Sequence, residues 1–124
     1  MSYKRKPTLG LAGALAIGIV TAMTSTAAIA EDQKNILEEG QKLAFTRSKG
    51  NCLACHMIPG GESPGNIAPP LVSMKMRYPD KATLREQIWD ASIKNTETAM
   101  PLFGKHEILS GSEVDKIVEF LYSL

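Results

Sequence analysis

The 124-residue sequence is poor in aromatic side chains, in cysteine and in net charge. Aromatic residues make up 6%, with a single tryptophan, and 14 basic against 13 acidic side chains leave a formal net charge of +1 at pH 7. So small a net charge gives no large field of one sign, which argues against a nucleic-acid binder or a polybasic membrane binder. The length has room for one domain at most, which excludes multidomain enzymes and large barrels.

An apolar run long enough to cross a membrane is also missing. The most apolar run, residues 9–20, contains twelve residues, whereas a membrane-spanning helix needs about 20. A Lys-Arg-Lys sequence at 4–6 precedes this run, and an Ala-Ile-Ala sequence at 28–30 follows it. A basic start, a short apolar core and a small-residue cleavage pattern are the three parts of a secretory signal peptide.

We therefore predict that residues 1–30 are a signal peptide, cleaved after Ala30, and that residues 31–124 form an exported domain without a membrane span. The alternative is an uncleaved membrane anchor, but the polar Thr-Ser-Thr at 24–26 interrupts the hydrophobicity before it reaches spanning length. A domain of this size often needs a disulfide, a metal or a cofactor to stabilise it.

The two cysteines indicate which of these stabilises the domain. They lie in Cys52-Leu53-Ala54-Cys55-His56, the covalent haem attachment sequence of c-type cytochromes. Residues three apart share one face of a helical turn, about 5 to 6 Å from each other, so both sulfurs can reach the two vinyl groups on one edge of a porphyrin. His56 then lies under the ring with a nitrogen directed at the iron. We predict one covalently attached haem c.

Three other roles are open to the two thiols. A plain disulfide would leave His56 without a role. A thioredoxin-type redox pair needs a βαβ setting, whereas the flanking segments have the pattern of helix and loop. A Cys2His2 zinc site could be completed by His106, although the spacing of His56 departs from the usual zinc-finger pattern. The motif, the export signal and the lack of further cysteines together favour haem.

The exported domain has the pattern of helices joined by long loops. A first helix over about residues 33–47 leads into the haem motif. A second begins near Asp80, a good N-cap, and a third follows Ser110 and Glu113, which form a capping box ahead of a 0, 3, 4, 7 apolar pattern. Proline and glycine are dense over residues 59–71, which predicts a loop there. The predicted fold class is all-α, with helices and long loops wrapped around the haem.

Iron held by His56 needs either a sixth ligand or an open position. Met100 is the leading candidate, because proline and glycine keep its segment at 98–104 out of a helix and let the loop present a side chain to the opposite haem face. Met57 is too close to His56 to reach that face. The other candidates are His106 and two methionines that we place in another loop, Met74 and Met76.

The domain resembles the small class I cytochromes c over most of its length. Four features have the order found in that family: Cys52-x-x-Cys55-His56, Pro69, Leu71, and Met100-Pro101 before a terminal helix. The resemblance implies that His56 and Met100 are the iron ligands. It also implies that the carbonyl of Pro69 accepts a hydrogen bond from the ring of His56 and so fixes its tautomer.

The same resemblance implies a crossing of the first and last helices at small and aromatic residues. Here Gly40 would meet Phe120 or Tyr122. A glycine inside a helix costs about 1 kcal/mol relative to alanine, so a close approach is a reason for its presence. The sequence leaves open whether Trp89 and Tyr78 hydrogen-bond the haem propionates or pack against the ring.

A narrower resemblance is carried by six segments: 50–56, 64–71, 77–81, 87–91, 100–109 and 120–122. Together they resemble SoxX, the monohaem subunit of the bacterial sulfur-oxidising SoxAX cytochrome, over most of residues 49–124. The resemblance implies a heterodimer with SoxA in the periplasm and an L-cysteine S-thiosulfotransferase activity, in which thiosulfate is joined to a cysteine of the carrier protein SoxYZ. A further acceptor cytochrome would receive the electrons.

The chemistry of that reaction predicts a division of labour. Joining a thiol to thiosulfate releases two electrons, whereas one haem iron accepts one at a time. A six-coordinate iron has no position for substrate, and no thiol is free once both are bonded to haem, so we expect no catalytic residue on this chain and substrate chemistry on the partner. The alternative is a diffusible electron-transfer cytochrome that docks through charged residues near the haem edge. Candidates for those residues are Lys49, Lys75, Arg77 and Lys105.

Overall fold

The computed structural model describes residues 23–124. In this range the chain forms helices joined by loops and contains no strand. In chain order they are α1 (Met23–Phe45), α2 (Met74–Arg77), α3 (Lys81–Trp89) and α4 (Gly111–Tyr122), with single 3₁₀ turns at Cys52–Ala54 and Ala91–Ile93. The all-α prediction is confirmed for this range. No helix within it is both long and apolar enough to cross a bilayer.

α1 begins at Met23, earlier than the predicted start near residue 33. Alanine is the best helix former, and alanines are frequent over residues 22–30. Residues 28–35 are exposed, so local propensity rather than packing extends the helix in this direction. The helix continues past the predicted cleavage position after Ala30, and residues 1–22 of the predicted signal peptide lie outside the described residues.

α4 has the predicted capping box and buries the predicted stripe. The side chain of Ser110 accepts a hydrogen bond from the backbone of Glu113 at 3.3 Å, and the Glu113 carboxylate accepts one from the backbone of Ser110 at 2.9 Å. Both groups therefore satisfy backbone donors that the first turn of a helix leaves unpaired. The buried side chains of the stripe are Val114, Ile117, Val118 and Leu121.

The crossing of α1 and α4 is centred on Gly40. A Cβ at this position would lie 2.1 Å from the carbonyl oxygen of Lys116 and 2.9 Å from the Cβ of Phe120. Beside it the rings of Phe45 and Phe120 pack edge to face, with centroids 5.8 Å apart. Phe120 is thus the aromatic partner of Gly40, and the absence of a side chain lets the two backbones touch.

Tyr122 does not take part in that crossing. Its hydroxyl donates to the backbone carbonyls of Tyr78 and Pro79, both at 2.9 Å, and so ties the end of α4 to the segment between α2 and α3. α3 begins as predicted, because the carboxylate of Asp80 accepts a hydrogen bond from the backbone of Ala82 at 3.1 Å.

The placement of Met74 and Met76 in a loop is wrong. Both lie in α2, which is a single helical turn. The sequence does not indicate this turn, because the prolines nearby favour a loop. Met74 is buried in the core, whereas Met76 is 82% exposed. The buried methionine holds this short turn against the rest of the domain.

Gly40→Ala should destabilise the domain, although alanine is the better helix former by about 1 kcal/mol. The added Cβ would meet the Lys116 carbonyl, so α1 and α4 must separate, and overpacking of this kind costs roughly 1–3 kcal/mol. Chemical denaturation followed by circular dichroism measures the change. Gln33→Ala, at an exposed position of the same helix, is the control and should change the unfolding free energy by less than about 0.5 kcal/mol. A more stable Gly40→Ala variant would contradict the close crossing.

Acid should weaken the cap of α4. Hydrogen bonds from Lys49, whose Nζ lies 2.7 Å from the carboxylate, and from Ser110 hold the pKa of Glu113 below its ordinary value of 4.5. A carboxyl with a lower pKa in the folded state stabilises the fold above its ordinary pKa, and this contribution is lost as the pH falls through the folded value.

The unfolding free energy should therefore decrease as the pH is lowered from about 5 towards 3. Denaturation at a series of pH values measures this slope. Glu113→Gln cannot titrate and should show a shallower slope over the same range. An identical slope in the variant would mean that Glu113 contributes nothing to the acid sensitivity.

Candidate functional site

A cavity of about 660 Å³ lies between α3, α4 and the long loops. All five residues predicted to bind haem border it: Cys52, Cys55, His56, Pro69 and Met100. Most of its remaining wall is apolar, including Leu84, Ile88, Phe103, Leu109, Ile117 and Leu121. The volume is within the range of about 300–1,000 Å³ typical of small-molecule and cofactor sites. An apolar chamber with two thiols, an imidazole and a thioether on its wall fits an iron porphyrin.

The haem motif is attached directly to the end of α1. The backbone N–H of Gly50 donates to the carbonyl of Leu43 at 3.0 Å, which folds the chain back against the helix. Asn51 then adopts a left-handed conformation with φ of 47°, which asparagine tolerates better than most residues. The reversal brings Cys52 to the cavity wall.

Cys52 and Cys55 lie on one turn with His56. The backbone N–H groups of Cys55 and His56 both donate to the carbonyl of Cys52, at 3.2 and 2.9 Å. The two sulfurs are not bonded to each other, and both residues are half-buried. Burial raises the pKa of the Cys52 thiol to about 11. A thioredoxin-type redox pair needs a lowered thiol pKa and a βαβ setting. The pKa of Cys52 is raised instead, and the residues from 23 onward contain no strand.

The ring of His56 is oriented by the backbone of Pro69. Its Nδ1 lies 2.6 Å from the Pro69 carbonyl oxygen. Because a carbonyl can only accept a hydrogen bond, Nδ1 carries a proton, so in the neutral imidazole Nε2 is the nitrogen that keeps its lone pair. This is the tautomer in which a histidine can bind a metal through Nε2.

The segment that carries Pro69 is fastened to the haem motif by backbone hydrogen bonds on both sides. Ala68 N–H donates to the carbonyl of Cys55 at 3.0 Å, and Leu71 N–H donates to the carbonyl of Met57 at 2.9 Å. Proline has no N–H to donate, but its carbonyl can accept a bond from a side chain. The guanidinium of Arg77 makes such a bond with Pro70. Sequence reasoning missed this role of Arg77, because a bond from a side chain to a backbone carbonyl leaves no pattern in the sequence.

Met100 reaches the cavity from a different loop. It is half-buried against the core, and its backbone N–H donates to the side chain of Thr98 at 3.1 Å. Among the other candidates, Met74 also borders the cavity and is only 1% exposed. The remaining two candidates, Met76 and His106, are exposed and do not border it. The same is true of Met57, which its closeness to His56 already excluded.

The zinc interpretation fails on the position of His106, which lies outside the cavity that the cysteines border. Between residues 23 and 124 no group of three or more histidine, cysteine and acidic side chains is close enough to hold a metal ion. The position of His106 thus leaves Cys52, Cys55 and His56 without the fourth ligand that a structural zinc site requires.

The charged side chains at the cavity wall are all cationic: Arg47, Lys49 and Arg77. Cations at the wall fit a group that carries carboxylates, as haem does in its propionates. Tyr78 borders the cavity, but Trp89 does not. The Trp89 ring instead packs on Gly104, and the guanidinium of Arg85 lies 5.1 Å from its centroid. Trp89 therefore supports the fold beside the cavity rather than forming its wall.

Residues 35–121 match the family model described as cytochrome c oxidase, cbb3-type, subunit III. A similar solved structure is the crystal structure of SoxXA from P. pantotrophus, with 32% sequence identity and a TM-score of 0.62. The match covers 69% of this chain and 79% of that chain. No curated protein matches the sequence significantly. Together with the strand-free helical structure of residues 23–124, these similarities confirm the predicted small class I cytochrome c fold.

Proposed function

We propose that this chain, which belongs to the SoxX-type monohaem cytochromes of the c-type cytochrome family, is the electron-accepting subunit of a periplasmic SoxAX complex. The complex would join thiosulfate to a cysteine of SoxYZ, the L-cysteine S-thiosulfotransferase reaction, and pass electrons to a downstream acceptor cytochrome. Residues 1–30 would be removed as a signal peptide. The observation that carries the proposal is the cavity wall shared by Cys52, Cys55, His56 and Met100, in a chain similar to a SoxXA structure.

The residues of the wall divide into covalent anchors and iron ligands. Cys52 and Cys55 would each bond one edge of the porphyrin through sulfur, and His56 would bind the iron through Nε2, since its Nδ1–H is held by Pro69. The bound haem c supplies a one-electron Fe(III)/Fe(II) couple. The sequence contains no cysteine besides these two, so the haem-loaded chain offers no free thiol.

Met100 is a better sixth ligand than Met74, because the two methionines belong to different sides of the cavity. The sulfur of Met74 lies 3.7 Å from the guanidinium of Arg77, which also binds Pro70, next to the residue that orients His56. Met74 therefore lies on the histidine side and fills the core there. Met100 comes from a separate loop and can approach the opposite face.

The electron balance supports a division of labour between two subunits. A thiol and thiosulfate form one S–S bond and release one proton and two electrons, while one haem takes up one electron at a time. With His56 and Met100 as iron ligands and both thiols bonded to haem, this chain would have neither a vacant metal position nor a nucleophilic sulfur for that bond. Its residues would hold and insulate an electron acceptor, and the new bond would form on SoxA.

Met100→Ala should abolish the charge-transfer band that methionine-ligated ferric haem shows in the visible spectrum, because the thioether sulfur is lost. Met74→Leu, a swap of similar volume in the core, is the matched control and should keep the band. Both holoproteins should stay coloured on a denaturing gel, since thioether bonds survive unfolding. A band that persists in Met100→Ala and disappears in Met74→Leu would reverse the ligand assignment, and a colourless gel band would contradict covalent haem.

The isolated holoprotein should accept electrons from a chemical reductant and yet form no thiosulfate adduct on SoxYZ. With thiosulfate and an oxidised acceptor cytochrome present in both assays to take up the two electrons, adding a SoxA subunit should give a one-to-one complex and produce the adduct, which mass spectrometry of SoxYZ detects. Adduct formation by this chain alone would overturn the division of labour. A chain that stays monomeric at all concentrations in the presence of SoxA would instead support a diffusible electron carrier.

A further inference from the structure

Asp90 is the only buried charged residue in the part of the chain whose burial is described, with 8% of its surface exposed. It lies directly after α3 and caps the turn Ala91–Ile93, where it accepts hydrogen bonds from the backbone N–H of Ser92 at 3.1 Å and from the Ser92 hydroxyl. Its second oxygen lies 2.8 Å from Nζ of Lys105. The carboxylate is thus fully partnered, as a buried charge must be.

Lys105 belongs to the end of the Met100 loop, which is fastened to the same place by its backbone. The N–H groups of Gly104 and Lys105 both donate to the carbonyl of Trp89, at 3.1 and 3.2 Å. A Cβ on Gly104 would lie 2.0 Å from the Trp89 ring. Any side chain there would push the loop off the end of α3, so glycine is required for the contact.

The beginning of the Met100 loop is fastened to the turn that Asp90 caps. The backbone N–H of Thr98 donates to the carbonyl of Asn95 at 3.1 Å, and the N–H of Asn95 donates to the carbonyl of Ala91 at 3.2 Å. Asp90 therefore holds one end of the loop through its cap and the other through Lys105. The stretch between these two anchors carries Met100, which borders the cavity.

We propose that Asp90 is a positioning residue for Met100: by fastening both ends of the 98–105 loop to the end of α3, it determines how firmly the methionine sulfur is kept on the haem iron. This inference rests on the proposed function, in which Met100 is the sixth ligand. The hydrogen bond and charge of Lys105, with the bonds from Ser92, hold the pKa of Asp90 below its ordinary value, so the carboxylate is charged at neutral pH. The cap and the ion pair are then both present.

The ligand position and the global fold depend on different contacts. The α1–α4 crossing lies at Gly40 and Phe120, whereas Asp90 touches the end of α3 and the Met100 loop. Loss of the Asp90 contacts should therefore open the loop locally before the helices unfold. A residue that merely stabilised the whole domain would shift loop opening and helix unfolding together.

The rate of cyanide binding to the ferric holoprotein measures how often the Met100 loop opens, because cyanide reaches the iron only when the methionine leaves it. Asp90→Asn keeps the size of the side chain but removes its charge, and should raise the binding rate about tenfold or more. Lys105→Met should also raise the cyanide-binding rate. It removes the same ion pair and so still tests the proposal if Asp90→Asn does not fold. Lys105→Arg, which keeps the cation, should stay near the rate of the unsubstituted protein.

Asp115→Asn is the matched control. The substitution breaks an exposed ion pair in which Nε of Arg85 lies 2.6 Å from the Asp115 carboxylate. This ion pair does not touch the Met100 loop, so the variant should leave cyanide binding unchanged. In Asp90→Asn the methionine charge-transfer band should also disappear at lower denaturant than the helical circular dichroism signal. Met100→Ala, already lacking the ligand, should bind cyanide fastest of all.

Two results would overturn the inference while leaving Met100 as the ligand: unchanged cyanide binding in both Asp90→Asn and Lys105→Met, or simultaneous loss of the band and the helical signal in those variants. Survival of the band in Met100→Ala has a different meaning. It would refute the ligand assignment itself, and the role of Asp90 would fall with it.

Discussion

The contact between Gly40 and the backbone of α4 is the constraint on which the rest of the structure depends. It lets α1 lie directly on α4, and the haem motif is attached to the end of α1 by the Gly50–Leu43 hydrogen bond. Lys49, just before the motif, pairs with Glu113 in the cap of α4. The two cysteines are therefore carried by a crossing of two packed helices rather than by a free loop, and this keeps their sulfurs at one place on the cavity wall.

The two sides of the cavity are built differently. On the side of His56, backbone hydrogen bonds join neighbouring parts of the chain, and prolines restrict the segment before folding begins. On the side of Met100, the loop is fastened through a glycine contact and one buried carboxylate to the end of α3. In the proposed arrangement the two iron ligands thus depend on separate parts of the fold. The methionine side depends more on side chains, so we expect a single substitution to loosen it.

The sequence predicts best where one local interaction decides the structure. The Ser110–Glu113 capping box, the Asp80 cap and the haem motif involve residues within five positions of each other, so their spacing alone carries the information. Short segments stabilised by distant packing were missed. α2 exists because Met74 is buried by the rest of the domain, and no periodicity can show that in four residues.

The candidate site shows the same limit. The five predicted haem-binding residues that border the cavity follow from a motif and a family resemblance. The pairing of Asp90 with Lys105, by contrast, joins residues 15 positions apart, and the Arg77 bond to Pro70 joins a side chain to a backbone carbonyl. Neither leaves a pattern in composition or spacing. The sequence left open whether Trp89 contacts the haem propionates or the ring, yet Trp89 does not border the cavity, because its position depends on how Gly104 packs, which the sequence does not display.

The charges at the cavity wall are consistent with an electron acceptor. Reduction makes the haem iron one charge more negative, so nearby cations stabilise the reduced state more than the oxidised state. Lys49 is paired with Glu113, whereas the partner of Arg77 within the chain is a neutral carbonyl, which does not offset its charge. In the proposed holoprotein, ligation by Met100 would shift the couple in the same direction. The arginine that binds the proline segment behind His56 would then also favour uptake of an electron, so one side chain would both hold the ligand in place and attract the electron.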